Sequence, residues 1–346
     1  MVLVLGIESS CDETAAALVD GDRRIVAQRI ASQDDDHAPY GGVVPEIAAR
    51  AHAQRLAPMV DAVLTDAGVD LADLDAIAAT AGPGLIGGVM VGLVSAKALA
   101  MATDVPLIAI NHLEGHALSP RLADDTLAFP YALLLVSGGH CQILRVDGVG
   151  RYSRLATTID DALGEAFDKT AKMLGLGFPG GPAVERAAML GDAEAVPLPR
   201  PMVGSQEPHF SFAGLKSAVL RAKQSGRYSD VDLAASFQQA AIDCVVDRTR
   251  IALEAMVGCD TLVVAGGVAA NASVRGALED LAASRNMLFS APPMALCTDN
   301  AAMIAWAGVE RFGLPEFTPD PLDISARPRW PLDDTAQAVR GAGVKA

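Results

Sequence analysis

The feature that most constrains this 346-residue chain is an arrangement that occurs twice. Near the N-terminus, VLVLGIESS leads through a short polar stretch into AAALVDGDRRIVAQRI. Further along, YALLLVSGGH leads into CQILRVDGVGRYSRLATT. In each copy an apolar strand ends in small polar residues, and a second strand closes on an Asp-Gly pair, Asp20-Gly21 and Asp147-Gly148. Asp-Gly between apolar runs signals a two-residue hairpin, because both residues tolerate positive φ. Helix-like and strand-like segments follow both copies. The pattern predicts a duplicated α/β fold, each copy a β-hairpin extended by α/β segments, with a polar turn after its first strand.

The expected organisation is an N-terminal lobe over 1–120, a C-terminal lobe over 121–325 and an extended tail over 326–346. The lobe boundary falls in the polar, turn-rich stretch 119–129. A loop excursion over 190–206 is marked by Pro, Gly and acidic residues. Hydrophobic residues make up 51% and charged residues 20% of the chain, enough apolar material for a sizeable core and too much for disorder. Between Asp75 and Lys97 no residue is charged, a length that spans a bilayer. Gly82-Pro83-Gly84 breaks it, however, so the prediction is a buried strand over 75–80, a tight loop and a buried helix from about 85. The N-terminus has no basic region or cleavage motif and reads as a strand. Five cysteines with no CxxC pair argue against a disulfide scaffold and fit a reducing, cytoplasmic setting.

The formal net charge of −15 is unfavourable for a nucleic-acid binder, because phosphates call for Lys and Arg. Its distribution is uneven. Segment 145–227 carries 11 Lys and Arg against 9 Asp and Glu. From charge alone that segment reads as a solvated mixed surface, and an RNA, if one binds, is expected there or on a partner.

Several clusters have the residue types that chemistry needs. His112 and His116 in INHLEGHALS have i, i+4 spacing, which places both imidazoles on one helix face within reach of one metal ion. The zinc-protease motif H-E-x-x-H needs Glu directly after the first His. Here Leu113 stands there and Glu114 comes one residue later, so a peptidase lacks its base. Asp299 in CTDNAAM is a candidate third ligand, since two imidazoles and a carboxylate leave positions open for substrate, although it also suits a helix N-cap. Glu8, Ser9, Ser10, Asp12 and Glu13 crowd the end of the first strand, a costly cluster unless a cation is near. Ser137-Gly138-Gly139-His140 follows an apolar strand, and exposed N–H groups there can hold an anion. Asp160, Asp161, Glu165, Asp168, Lys169 and Lys172 form a charged helical stretch that runs into the small, stiff loop 177–182. Gly266-Gly267 precedes Asn271 and Ser273, which suit a helix cap or a ligand contact.

The duplicated pattern is similar to the superfamily of actin, hexokinase and the heat-shock chaperone ATPases. More specifically, GIESSCDETAAALV, GGVVPEIAARAH, AGPGLIGGVMVGL, NHLEGH, LLVSGGH, DDALGEAFDKTAKMLGLGFPGGP, FSFAGLKSAV, AGGVAANASVR and TDNAAMIAWAG resemble, in order, blocks of the tRNA N6-adenosine threonylcarbamoyltransferases of the bacterial type. The resemblance implies transfer of a threonylcarbamoyl group from threonylcarbamoyl-AMP to N6 of adenosine 37, in tRNAs reading codons that begin with adenine. It implies that His112, His116 and Asp299 bind one divalent metal, Fe(2+) or Zn(2+). It implies that Leu135, Val136, Ser137, Gly138 and Gly139 hold the donor's phosphate and acyl part, while Asp168, Gly181, Glu185 and Asn271 line its adenosine. Asp12 and Glu13 are the candidates for accepting the proton of the attacking amine or orienting it. The implied partners are tRNA, a shorter paralogous subunit and a P-loop ATPase. One departure is Cys141 where the family has Thr after SGGH, an oxidisable thiol whose side chain is expected to face into the strand. Rival readings are a kinase of the same superfamily, a carbamoyltransferase acting on a small molecule, a metallopeptidase and a nucleotide-gated scaffold.

Overall fold

The computed structural model describes residues 2–40 and 42–339. Its contacts divide the chain into two units. Unit 1 takes Met1–Leu127 and Thr298–Asp334, and unit 2 takes Ala128–Cys297 and the chain from Thr335. The division is discontinuous in sequence, unlike the contiguous one expected: residues 298–325, assigned to the second lobe on sequence, pack in unit 1. No composition shift marks their return, because a buried helix looks alike whichever core it joins.

Unit 1 is built on strands β1 (Leu3–Glu8), β2 (Thr14–Asp20), β3 (Ile25–Ala31), β4 (Ala76–Gly82) and β5 (Leu107–Asn111). They lie in the order β3-β2-β1-β4-β5. The first three are antiparallel, and β1 to β4 to β5 is parallel. Unit 2 has β6 (Tyr131–Val136), β7 (Cys141–Gly148), β8 (Arg151–Thr157), β9 (Thr261–Ala265) and β10 (Leu288–Ser290). Its order, β10-β9-β6-β7-β8, is the same one counted from the other edge, with the same senses of pairing. The duplication is therefore complete at the level of the sheet. Glu8 at the end of β1 and Val136 at the end of β6 occupy equivalent places, so 9–13 and 137–140 are corresponding turns.

Neither hairpin turns on its Asp-Gly pair. After β2 the chain makes a longer turn through Arg23 at φ 65° before β3. The buried Asp20 carboxylate organises it, accepting from the N–H groups of Asp22 and Arg24 and from the Arg24 guanidinium. In the second copy Gly148 is still paired, to Arg151, and the left-handed residue is Gly150. Local side-chain hydrogen bonding and one extra paired residue moved the turns, effects invisible to dipeptide rules.

In unit 1, Leu5, Ile7, Leu18 and Ile77 pack against Leu56, Val60 and Val63 of helix Pro45–Ala67 and Ala96 and Ala100 of helix Ile86–Thr103. Helix Ile86–Thr103 is long and apolar enough to cross a membrane by composition. Here its Gly88, Val89, Gly92, Leu93, Ala96 and Ala100 are buried. Helix Ala301–Phe312 lies so close to β1 that a Cβ on Gly6 would sit 2.3 Å from the Ala301 carbonyl oxygen. That contact fixes the start of this helix, and Asp299 just before it, against the sheet. In unit 2 a large core gathers Leu134, Val136, Phe167, Phe237 and Val264. The 190–206 excursion is irregular and fastened to helix Asp230–Glu254. Arg200 pairs with Asp243 at 2.9 Å, Asp247 accepts from the Gly204 N–H, and the fully buried Arg248 guanidinium donates to the Ser205 and Glu207 carbonyls.

Candidate metal centre and glycine-bearing turns

The end of β5 delivers the histidine pair. Asn111 caps helix His112–Ala123 by accepting from the Leu113 N–H at 2.9 Å, and its amide donates to the Trp330 carbonyl. His112 thus begins the helix and His116 follows one turn later. Both are buried, their rings edge-to-face with centroids 4.7 Å apart. Asp299 comes from the far end of unit 1's sequence. Its Oδ1 lies 3.0 Å from His116 Nε2 and 3.5 Å from His112 Nε2. The N-cap of helix Ala301–Phe312 is Asn300, not Asp299, which leaves the Asp299 carboxylate facing the imidazoles. The three ligand atoms lie within 4.8 Å of one another. Two imidazole nitrogens and a carboxylate oxygen converging on one point fit a single divalent cation.

Glu8 is the residue that sequence reasoning left without a role. It is fully buried at the end of β1. Its Oε1 accepts from the Ser10 N–H at 2.5 Å, and its Oε2 accepts from Thr80 Oγ1 at 2.6 Å and faces His112 Nδ1 at 3.0 Å. A carboxylate behind Nδ1 holds the proton there and leaves the Nε2 lone pair for a metal. Burial opposes charge on His112, yet Asp299 and Glu8 outweigh it and raise the imidazole to about 9 in the metal-free chain. Burial likewise opposes the Glu8 charge, and the His112 imidazole reverses that and holds the carboxyl below its ordinary value. Without a metal, a proton on His112 supplies the positive charge that this group demands.

Glu114 is turned elsewhere. It is fully buried and paired with Arg311 Nη2 at 2.5 Å. It is occupied as a structural ion pair, which removes the general base that a metallopeptidase needs.

The acidic turn 9–13 is clamped to its surroundings. The Leu85 N–H donates to the Ser10 carbonyl at 2.8 Å, Ser9 Oγ to the Gly88 carbonyl at 2.9 Å, and His52 Nε2 to the Cys11 carbonyl at 3.0 Å. Asp12 and Glu13 follow, sharing a hydrogen bond. Burial, then Asp299 and Asp12, push the Glu13 carboxyl up to about 10, so in the metal-free chain it is a neutral acid near pH 7. The same surroundings raise the Cys11 thiol well above its ordinary value.

In unit 2, Leu135 and Val136 end β6 and Ser137 to Gly139 form the corresponding turn. The Ser137 N–H donates to the His140 carbonyl, and the His140 N–H to Ser137 Oγ. A Cβ on Gly138 or Gly139 would meet nothing within 4 Å, and neither has positive φ. Neither packing nor backbone geometry requires glycine there, so its effect is to leave the turn's backbone open to something outside the chain. Gly181 is the same case. Gly164 and Gly266 are not, since a Cβ on either would strike the 136–138 backbone. They are the close-packed supports of the turn.

The remaining residues are tied into that frame. Asp168 Oδ1 accepts from the Gly180 N–H at 2.8 Å, Glu185 Oε1 accepts from the Ala272 N–H at 2.7 Å, and Asn271 caps helix Ala272–Ser284 while its amide donates to Gln238. Asp161 pairs with Lys169 at 2.8 Å and Lys216 at 2.6 Å, and Asp160 holds the start of helix Ala213–Gln224 through Ser211 and Phe212. Of the charged run over 160–172, Asp168 is the residue whose bond to loop 177–182 ties the helix to it, through the Gly180 N–H. Cys141 is wholly buried in the core and its thiol is pushed far up by burial. It is therefore inert packing rather than an oxidisable group at the site.

A duplicated five-stranded sheet, with a two-histidine, one-carboxylate group at the end of β5 and a glycine turn at the end of β6, defines an α/β protein with the fold of the actin, hexokinase and heat-shock-chaperone type. Among solved structures, full-length HypF in its phosphate- and nucleotide-bound form is 13% identical with a TM-score of 0.63, covering 92% of this chain and 47% of that one. Component A of the (R)-2-hydroxyglutaryl-CoA dehydratase of Acidaminococcus fermentans is 16% identical with a TM-score of 0.53, covering 88% and 97%. These likenesses show the fold. The sequence profile of the tRNA N6-adenosine threonylcarbamoyltransferases (TsaD) matches residues 24–306. A protein of that name from Erythrobacter litoralis is 76% identical over the whole of both chains, and one from Novosphingobium aromaticivorans is 74% identical over the whole of both. This chain belongs to the tRNA N6-adenosine threonylcarbamoyltransferase family.

Proposed function

We propose that this chain moves the threonylcarbamoyl group of threonylcarbamoyl-AMP onto N6 of adenosine 37 in tRNAs whose codons begin with adenine. Family membership carries the transferase activity and its tRNA substrate. The observation that carries the chemistry is the convergence of His112, His116 and Asp299, with Glu8 fixing the tautomer of His112.

Those three residues would hold one divalent metal, and two imidazoles with a carboxylate suit Fe(2+) and Zn(2+) alike. When bound, such an ion supplies Lewis-acid charge for phosphate and carbonyl oxygens. The open backbone of Gly138 and Gly139 is placed to donate N–H groups to the donor's anionic part, and Asp168, Gly181, Glu185 and Asn271 frame its adenosine. The exocyclic amine of adenine is a weak nucleophile, so it must be positioned and must lose a proton as the N–C bond forms and AMP departs. Asp12 is the proton acceptor, and Glu13, hydrogen-bonded to it, orients it. The target base lies in a single-stranded loop and can be presented without opening a duplex. The nine resembling blocks also support a shorter paralogous subunit and a P-loop ATPase as partners. Five free cysteines support a reducing, cytoplasmic compartment.

The test supplies threonylcarbamoyl-AMP, tRNA and the partner proteins, and tracks modified nucleoside by mass spectrometry. Asp12→Ala is expected to lower turnover while metal content is unchanged. Loss of metal in that variant would instead place Asp12 in the metal shell, and undiminished turnover would remove it from proton transfer.

A further inference from the structure

Unit 1 holds two histidines that the metal group does not use. His37 and His52 are both fully buried, as are Gln33 and Thr14 between and beside them. Four buried polar side chains in contact require complementary donors and acceptors, so their protons can be assigned from the groups whose roles are fixed.

Backbone amides only donate and carbonyls only accept. The Val44 N–H meets His37 Nδ1 at 3.3 Å, so that nitrogen is bare and His37 carries its proton on Nε2. Nε2–H then donates to Gln33 Oε1 at 3.2 Å, which fixes the amide with its NH2 towards His52 Nδ1 at 3.5 Å. Thr14 Oγ1 lies 2.8 Å from the same nitrogen. At the other end His52 Nε2 faces the Cys11 carbonyl at 3.0 Å, so it must bear a hydrogen, and His52 Nδ1 is bare and accepts from Thr14, with the Gln33 amide as a second, longer donor. Every bond points the same way, from the Val44 amide to the Cys11 carbonyl. The ring of His52 has no freedom to leave this line, because a Cβ on Gly88 would already sit 3.1 Å from it.

We infer that Gln33, His37 and His52 are positioning residues: a one-way hydrogen-bond relay that ties the Cys11–Asp12–Glu13 turn to residues 33–40 and Val44. The relay ends on the carbonyl directly before Asp12, so its last bond sets where the Asp12 and Glu13 side chains start. This rests on the reading of Asp12 and Glu13 as the proton-handling pair. Residues 33–40 include Tyr40, which is 60% exposed. A shift of those residues reaches the turn through three side chains as well as through the β2–β3 pairing of Thr14 with Ala31.

Two substitutions divide the relay at His52. A glutamine amide nitrogen reaches the place of imidazole Nε2, so His52→Gln keeps the donor to Cys11. An asparagine oxygen takes the place of Nδ1, so His52→Asn keeps the acceptor for Thr14 and loses the donor. In the full chain with metal, donor, tRNA and partners, His52→Gln is expected to keep kcat within about threefold. His52→Asn is expected to lower kcat at least tenfold, with metal content and the KM values for tRNA and donor unchanged. Imidazole nitrogen chemical shifts of the wild type should show both His37 and His52 as Nε2–H tautomers. An Nδ1–H tautomer at either position overturns the relay, as does a His52→Asn variant with wild-type kcat beside an impaired Asp12→Ala. Wild-type turnover in both Asp12→Ala and Glu13→Gln overturns the catalytic reading of the turn, and the relay's role with it.

Discussion

Replacing Glu8 by Gln changes one atom in a wholly buried residue, and the hydrogen bonds around that residue fix the consequence. Glu8 Oε1 accepts from the Ser10 N–H, while Oε2 accepts from Thr80 Oγ1 and from His112 Nδ1. A glutamine has one acceptor oxygen. Its NH2 cannot face the Ser10 amide, which is itself a donor, so it must take the Oε2 position. Thr80 can rotate its hydroxyl to accept. Facing that NH2, His112 avoids a donor–donor clash by baring Nδ1, to which the Ser10 hydroxyl at 3.1 Å can also donate, and its proton then moves to Nε2, the nitrogen that faces Asp299. The variant therefore keeps all three ligand side chains and loses one usable lone pair. Loss of a carboxylate behind a metal-bound histidine costs ten- to a hundredfold in affinity, about 1.4 to 2.8 kcal/mol. A competition titration of Zn(2+) against a chromophoric chelator would measure it, with circular dichroism to establish that the fold persists. Equal affinity of folded Glu8→Gln and wild type would refute the argument that Glu8 sets the tautomer.

The same geometry makes further predictions. His112 in the metal-free chain is raised from 6.5 to about 9, so its ion pair with Glu8 stabilises fully below about pH 6.5 and fades as pH rises through 9. A metal must displace that proton, so apparent affinity should rise about tenfold per pH unit between those values, and a flat profile by calorimetry would count against it. Gly138→Ala should leave the melting temperature unchanged and raise the KM for the donor, because the added Cβ meets nothing within the chain. Gly164→Ala should destabilise by about 1 to 3 kcal/mol, since its Cβ would lie 2.6 Å from the Ser137 oxygen. Arg248→Met should cost about 3 kcal/mol in denaturant unfolding, because the Ser205 and Glu207 carbonyls lose their donor and Asp247 keeps only Arg250 of its two cations.

The duplication was legible because strand hydrophobicity and the small residues that end each strand are local signals. So was the histidine pair, whose spacing is a property of one helix. Asp299 was nameable as a ligand only beside its reading as an N-cap, and the choice was made by Asn300 taking the cap. Glu8 stood in a visible cluster of acids, yet nothing in its neighbourhood points to His112, more than a hundred residues away. The relay was equally hidden, since Gln33, His37 and His52 are single polar residues whose partners are decided by packing. Residues 298–325 went to the wrong core for the same reason: long-range contacts leave no mark on the segments that make them.

The most direct test is metal content and tRNA modification of the wild type beside His112→Ala, with threonylcarbamoyl-AMP and the partner proteins supplied. The account predicts about one metal per chain and robust transfer to adenosine 37 in the wild type, both lost in the variant. A wild type that transfers the group without bound metal, or a His112→Ala chain that retains full activity, would contradict it.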